Sequence, residues 1–280
     1  SGFLGSQCAD YLAKHGHKVF TESIDITDSK ALKKKIKETK PDVVINFAGV
    51  RAYPNIDWCE DHKKETVSVN VAGAVNAMLA AIKNGAFPIQ ISSGCIYSGG
   101  LAKRFSEEDK PNFFGSFYSR MRIAMEMALK ELPVLQARIR MPISSYPHPR
   151  NLINKLISYE KIISLPNSVT LLEDLWPALL KIAKLRPTGI LNLTNDGYIQ
   201  QEDIVKKYKE IISPAHRYSV ISIKELEGPG GLVKAQRANC VLLNQKALSI
   251  GIKMPAIDDK RLTKIMRDFK RNLGKTVNLI

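Results

Sequence analysis

Leu4, Cys8 and Leu12 recur every four residues, with Ala9 and Ala13 beside them. That spacing predicts a helix over 6–15 with one apolar face. Gly16 stops it, and 17–20 reads as a short strand. Thr27 or Asp28 can cap a second helix whose Leu32 and Ile36 face inward while its lysines face water. The pattern then changes. In the stretch 41–49, Val43, Val44 and Ile45 follow one another without alternation, as in a strand covered on both faces. Next come a long helix over 65–83 ended by Gly85, a strand over 88–96, a helix over 116–130 and a strand over 134–141. Strict alternation of this kind predicts an α/β fold, a doubly wound parallel sheet with crossover helices. Beyond Pro142 the rhythm loosens into helices over 150–161 and 171–184, with Pro177 inside the second, and a strand over 188–194. From Gln200 the chain reads as mostly helical and polar, with loops around Gly228-Pro229-Gly230-Gly231. The expected division is a dinucleotide-binding domain over 1–143, to which 168–195 returns. A smaller, mostly helical substrate-binding cap is expected from 144–167 and 196–280.

Composition narrows the class. With 280 residues, 44% hydrophobic and 25% charged, the chain can bury a core and is neither disordered nor fibrous. No apolar run is expected to be long enough to cross a bilayer. The formal charge is +15, from 42 Lys+Arg against 27 Asp+Glu, which favours an anionic partner. The basic residues are spread out, clustering only modestly at Lys33-Lys34-Lys35 and Lys260-Arg261, so solvated helix faces are preferred over a nucleic-acid stripe. Nucleic acid and membrane are therefore not the expected partners. Cys8, Cys59, Cys95 and Cys240 stand far apart with no C-x-x-C pair, so no metal site is expected and a reducing, cytoplasmic compartment is.

Gly2 and Gly5 sit at the mouth of the first helix, where glycines let a pyrophosphate approach free N–H groups and the positive end of the helix dipole. Two such glycines alone more often mark a plain turn; the alternation of strand and helix behind them favours the phosphate turn. The full fingerprint also needs a strand and another glycine ahead of Ser1. The first strand of the sheet is accordingly expected to be missing, and the chain to be a fragment.

Longer strings carry a more specific likeness. They are Pro54-Asn55-Ile56-Asp57-Trp58-Cys59-Glu60-Asp61-His62-Lys63, Asn70-Val71-Ala72-Gly73, Ser93-Gly94-Cys95-Ile96-Tyr97, Pro111-Asn112-Phe113-Phe114-Gly115-Ser116-Phe117-Tyr118-Ser119 and Arg138-Ile139-Arg140-Met141-Pro142-Ile143-Ser144-Ser145. Pro149-Arg150-Asn151, Tyr159-Glu160-Lys161 and Pro166-Asn167-Ser168 extend them, and the likeness weakens after about Cys240. The sequence resembles the extended short-chain dehydrogenase/reductases. Within them it looks like the bifunctional 3,5-epimerase/4-reductases of UDP-4-keto-6-deoxy-glucose that make UDP-L-rhamnose. It is similar, at greater distance, to dTDP-4-dehydrorhamnose reductases and GDP-L-fucose synthases.

That resemblance implies reduction of a nucleotide-linked 4-keto sugar by NADPH, with NADH the second choice. Ser93 stands where the family orients the carbonyl, and Tyr118 where it donates the proton. Arg122 stands where the family has a lysine. It keeps the positive charge but cannot place it as a single point, which implies a working but slower enzyme. Cys95, two residues beyond Ser93 and so expected on the same strand face, and Lys155 stand at the positions of the epimerase base and acid. A free thiol ionises near about 8.5, and a cationic Lys155 nearby would make it a usable base. For the cofactor the resemblance implies Gly2, Phe3 and Leu4 at the phosphate turn, Asp25 and Ile26 at adenine, Phe47, Ala48 and Gly49 at the sheet edge, and Asn70, Tyr118 and Arg122. Arg140, Asn151 and Arg237 are the expected holders of the sugar's diphosphate. A homodimer through the long helices around Asn70 and Tyr118 is expected. The competing reading is a non-catalytic cofactor-binding subunit of the same superfamily, like the regulatory subunit of methionine adenosyltransferase. Arg122 favours it, while Ser93, Cys95, Tyr118 and Lys155 oppose it.

Overall fold

The structure is a computed structural model that describes residues 2–50 and 54–275. The chain runs α1 (Phe3–Lys14), α2 (Ser29–Thr39), β1 (Val43–Asn46), α3 (Trp58–Asp61), α4 (Lys63–Val67), a π-helical turn (Ser68–Gly73), α5 (Ala74–Lys83), β2 (Phe87–Ser93), β3 (Gly100–Phe105) and α6 (Phe117–Leu129). It continues as β4 (Leu135–Ile139), β5 (Pro142–Ile143), α7 (Leu152–Ile157), β6 (Lys161–Ile162), β7 (Thr170–Leu171), α8 (Leu172–Leu185) and β8 (Gly189–Asn192). The last part holds α9 (Gln201–Ile211), β9 (Ser219–Val220), α10 (Ile223–Glu227), β10 (Cys240–Leu242), α11 (Gln245–Ser249) and α12 (Asp259–Asn272).

The main sheet has the order β1-β2-β4-β8, with every pair parallel, as the alternation predicts. All seven residues of β2 and all five of β4 are buried, so both faces of these central strands are covered, their polar Gln90, Ser92, Gln136 and Arg138 included. One face of the sheet packs on α1 and α8 through Leu4, Cys8, Leu175 and Leu179. On the other side of the sheet, α2, α5 and α6 pack together through Leu32, Ala77, Met78 and Met125. A second core joins α7, α9 and α12 through Ile153, Leu156, Ile204, Met266 and Phe269.

Three expectations need correcting. Residues 17–20 form no strand. A strand needs a partner for its backbone groups, and among the described residues no strand pairs with these. They line instead one wall of a groove whose other wall is β1. The expected strand before Ser1 lies outside the described residues. The helical run Lys63–Lys83, at 21 residues and mean hydropathy 1.3, is after all long and apolar enough to cross a membrane by length and composition. Here Ala74, Ala77, Met78, Ala80 and Ala81 spend that apolarity on packing inside the fold. The strand expected over 88–96 stops at Ser93. Gly94 turns the chain there, because a Cβ on it would sit 2.7 Å from Leu242 Cδ1.

The pairing of β3 with β10 could not be read from the sequence. It joins Gly100–Phe105 to Cys240–Leu242 in parallel, with a shift between Cys240 and Val241. Ala247, Ile252 and Met254 follow it into the first core, so the tail is shared between the two lobes.

Candidate active site

β2 delivers its end residues to the site on a buried polar support. Glu126 of α6 receives Ser92 Oγ at 2.5 Å and Arg138 of β4 at 2.9 Å through Nε and 2.6 Å through Nη2. Both members of that ion pair are nearly inaccessible to water, so the bidentate geometry is what makes their burial tolerable. Tyr97 lies against the same arginine, 5.3 Å from ring centroid to guanidinium. Burial pushes its phenol up to about 12, and its hydroxyl donates to the Asp109 carbonyl. Tyr97 is thereby committed to the fold.

Ser93 closes the strand, and its Oγ accepts the Cys95 N–H at 3.1 Å. The two residues meet through a turn and not along one strand face, which corrects the expectation for Cys95. α6 is tied to the same turn. Ser116 caps it by accepting the Ser119 N–H, Ser119 Oγ donates to the Cys95 carbonyl at 2.6 Å, and Phe117 N–H donates to Glu60. Tyr118, 4% exposed, is thus fixed in the first turn of α6 beside the end of β2. The Arg122 guanidinium lies 5.1 Å from the centre of the Tyr118 ring.

Arg140 follows β4 and reaches the same turn. Its Nη1 donates to Cys95 Sγ at 2.8 Å, and its Nη2 to the Asn167 side chain and the Ala238 carbonyl at 2.5 Å each. The structure therefore joins Ser93, Cys95, Tyr118, Arg122 and Arg140 in one cluster.

A groove of about 760 Å³ runs from α1 along β1. Gly2, Gly5, Phe47, Ala48, Gly49 and Arg150 line it. Gly2 caps α1 with no side-chain bond and no acidic residue fills the first turn, so the helix dipole is left open to an anion. Arg150 Nη1 lies 3.5 Å from where a Gly2 Cβ would be. At the other end a Cβ on Gly49 would meet Arg122 Nη2 at 2.9 Å and Asn70 Oδ1 at 3.1 Å, so only glycine lets these groups close in. Asn70, within the π-helical turn, clamps Val50 by both its amide groups. Among the described residues, Arg122 Nε is buried with no hydrogen-bond partner. An open helix end, an arginine beside it and an orphaned N–H next to Tyr118 fit a dinucleotide cofactor. Sequence reasoning misses Arg150, because its meeting with Gly2 bridges a long stretch of sequence.

Other predicted residues sit differently. Asn151 is fully buried; it caps α7 and donates to the Ser144 and Tyr146 carbonyls. Arg237 pairs with Asp57 at 2.8 Å. Burial would raise the Asp57 carboxyl, but Arg237 and the Ala235 N–H hold it below the ordinary range. Lys155 lies on α7, which is anchored through Ile153 and Leu156. Phe3 and Leu4 belong to the core, Phe3 stacking on His148. Asp25 is exposed and accepts both Thr27 donors, which lower its carboxyl, while Ile26 is buried against Gly73.

The fold and the groove define the class as an α/β nucleotide-binding protein of the Rossmann type. Residues 1–159 match the family described as the RmlD substrate binding domain, and the chain belongs to that family. It is 37% identical over 233 residues to the bifunctional dTDP-4-dehydrorhamnose 3,5-epimerase/dTDP-4-dehydrorhamnose reductase of Arabidopsis thaliana, covering 80% of this chain and 77% of that protein. To a trifunctional UDP-glucose 4,6-dehydratase/UDP-4-keto-6-deoxy-D-glucose 3,5-epimerase/UDP-4-keto-L-rhamnose-reductase of the same plant it is 35% identical over 97% of its own length, and it spans only 41% of that relative. The crystal structure of the UDP-rhamnose synthase of Acanthamoeba polyphaga mimivirus superposes with a TM-score of 0.88 at 30% identity, over 95% of this chain and 96% of the other.

Proposed function

We propose that the chain is an NADPH-dependent epimerase/reductase acting on a nucleotide-linked 4-keto-6-deoxy sugar and giving a 6-deoxyhexose nucleotide such as UDP-L-rhamnose. One observation carries this reading: Ser93, Cys95 and Tyr118 converge at the end of β2, beside a groove fit for a dinucleotide. NADPH, when bound, supplies the hydride. Gly2 and Arg150 would face its phosphates, and Phe47, Ala48, Gly49, Asn70 and Arg122 the end nearest Tyr118. Lys18 and Lys35 also line the groove, and Glu22 there is paired with Lys35, which favours the extra phosphate of NADPH over NADH.

Ser93 Oγ donates to the substrate's C4 carbonyl and holds it. Tyr118 gives its phenolic proton to that oxygen as the C4 carbinol forms, and Arg122 stabilises the phenolate left behind. Before reduction, Cys95 takes a proton from the carbon next to the carbonyl, and Lys155 returns one to the opposite ring face. The working division is a dinucleotide-binding domain over 1–143 with 168–195, and a cap from 144–167 and 196–280. Exposed Leu79 and Met127, on the packed helices α5 and α6, support pairing with a second copy. Four free thiols suit a reducing cytoplasm.

The test is loss of nicotinamide absorbance on adding UDP-4-keto-6-deoxy-glucose. Tyr118→Phe should bind NADPH normally and lose about 10²- to 10⁴-fold in rate. A chain that binds NADPH but never oxidises it would instead be the non-catalytic subunit that Arg122 favours.

A further inference from the structure

Arg140 is 3% exposed, and among the described residues no carboxylate forms an ion pair with it. A buried guanidinium without a counter-charge is costly. Its partners Asn167 and Ala238 offer neutral oxygens, and among the described residues its Nε has no hydrogen-bond partner. The ionisable groups facing it are Cys95 after β2, Cys240 on β10 and Tyr118 on α6, with Arg138 on β4 acting on Cys240 as well. Burial pushes the Cys240 thiol up, and its Sγ donates to the Gly94 carbonyl at 3.2 Å, so it stays neutral. Tyr118 lies beneath Arg122. Cys95 remains, half-buried and hydrogen-bonded to Arg140 itself.

We propose that Arg140 is the positioning residue of Cys95, placing a positive charge beside the sulfur and fixing it through the Nη1–H···S bond. The use of that sulfur as a base rests on the epimerase reading. The C–H bond next to the carbonyl breaks, its proton forms S–H on Cys95, and the electron pair moves into the enolate oxygen. The Arg140 charge then faces a neutral thiol until the proton leaves. Two local features hold the arginine in place. Gly94 leaves room, since a Cβ there would sit 3.4 Å from Arg140 Cδ. Met141, directly after it, adopts φ +41°, a left-handed conformation that an unbranched side chain takes only when its surroundings enforce it.

Alkylation of Cys95 by iodoacetamide between about pH 6 and 9 reads this arrangement, because Cys8, Cys59 and Cys240 are buried. Arg140→Gln should react at least about tenfold more slowly than wild type at neutral pH, while Arg140→Lys stays within about threefold. Equal rates for wild type and Arg140→Gln overturn the proposal, and so does an Arg140→Lys variant as slow as Arg140→Gln. If Arg140→Gln does not fold, wild type and Arg140→Lys decide: an Arg140→Lys rate about tenfold or more below wild type overturns it, and a rate within about threefold supports it. With the keto sugar, Arg140→Gln should lose solvent deuterium uptake through kcat with KM held. Alkylation as expected without uptake in wild type would leave the Arg140–Cys95 pair standing and remove the epimerase reading.

Discussion

At the end of β2 the polar side chains are buried and bonded to one another, whereas the far wall of the groove is exposed. Ser92, Ser93, Ser119, Glu126, Arg138 and Arg140 are buried and bonded to one another or to the turn around Cys95. Across the groove, residues 17–23 are mostly exposed and form neither helix nor strand, and Phe20 stays 43% exposed. The difference separates two tasks. Groups that move protons must hold their geometry before substrate arrives, and burial with mutual hydrogen bonds achieves that. A wall that binds an extended ligand can take part of its order from the ligand, and then the binding energy is partly spent on that ordering.

The largest break of this contrast is Arg138→Met. It leaves Glu126 buried and charged without its partner, and should cost about 3–5 kcal/mol, read as a lowered urea midpoint. A cost under about 1 kcal/mol would mean that the support under Ser92 is not what holds this end. A smaller effect sharpens the other side. NADPH at a hundredfold excess over its Kd should stabilise by about 2.7 kcal/mol and raise Tm. Its hydrogen-exchange protection should gather at 17–24 and 43–50 and leave 92–95 nearly unchanged; uniform protection would dissolve the distinction. The smallest effect lies on the exposed rim. Lys103, with the backbone and side chain of Ser106, lowers the Asp109 carboxyl to about 2. A carboxyl lowered by folding stabilises above its unfolded value of about 3.9, and that contribution fades as pH falls through about 2. Asp109→Asn should therefore have a slightly lower Tm than wild type at neutral pH, a deficit that shrinks below about pH 4 and is gone only below about pH 2.

Local signals carried the framework. The uninterrupted Val43–Ile45 run, the Asp28 cap and the apolar spacing of α1 and α8 all lead to elements that form. Ser93, Cys95 and Tyr118 were legible because they lie in strings near the sheet edge. What escaped depends on residues distant in sequence. A strand at 17–20 has the right composition but no neighbour. The β3–β10 pair spans more than a hundred residues. Arg140 reads as a holder of the sugar's diphosphate; that it also bonds Cys95, Asn167 and Ala238 is visible only in the fold. The capping of α7 by Asn151, read as another such holder, is likewise visible only there. The π-helical turn that carries Asn70 has no signature distinguishable from α-helix.

The return of 240–254 to the first lobe bears on how the chain is made. A nascent polypeptide emerging from the ribosome holds Leu175, Leu179 and Leu191 long before Ala247, Ile252 and Met254 are translated to cover them. The first lobe cannot be fully covered until residues 247–254 have been translated, and a ribosome stalled short of residue 240 would present a sticky, unfinished surface to chaperones.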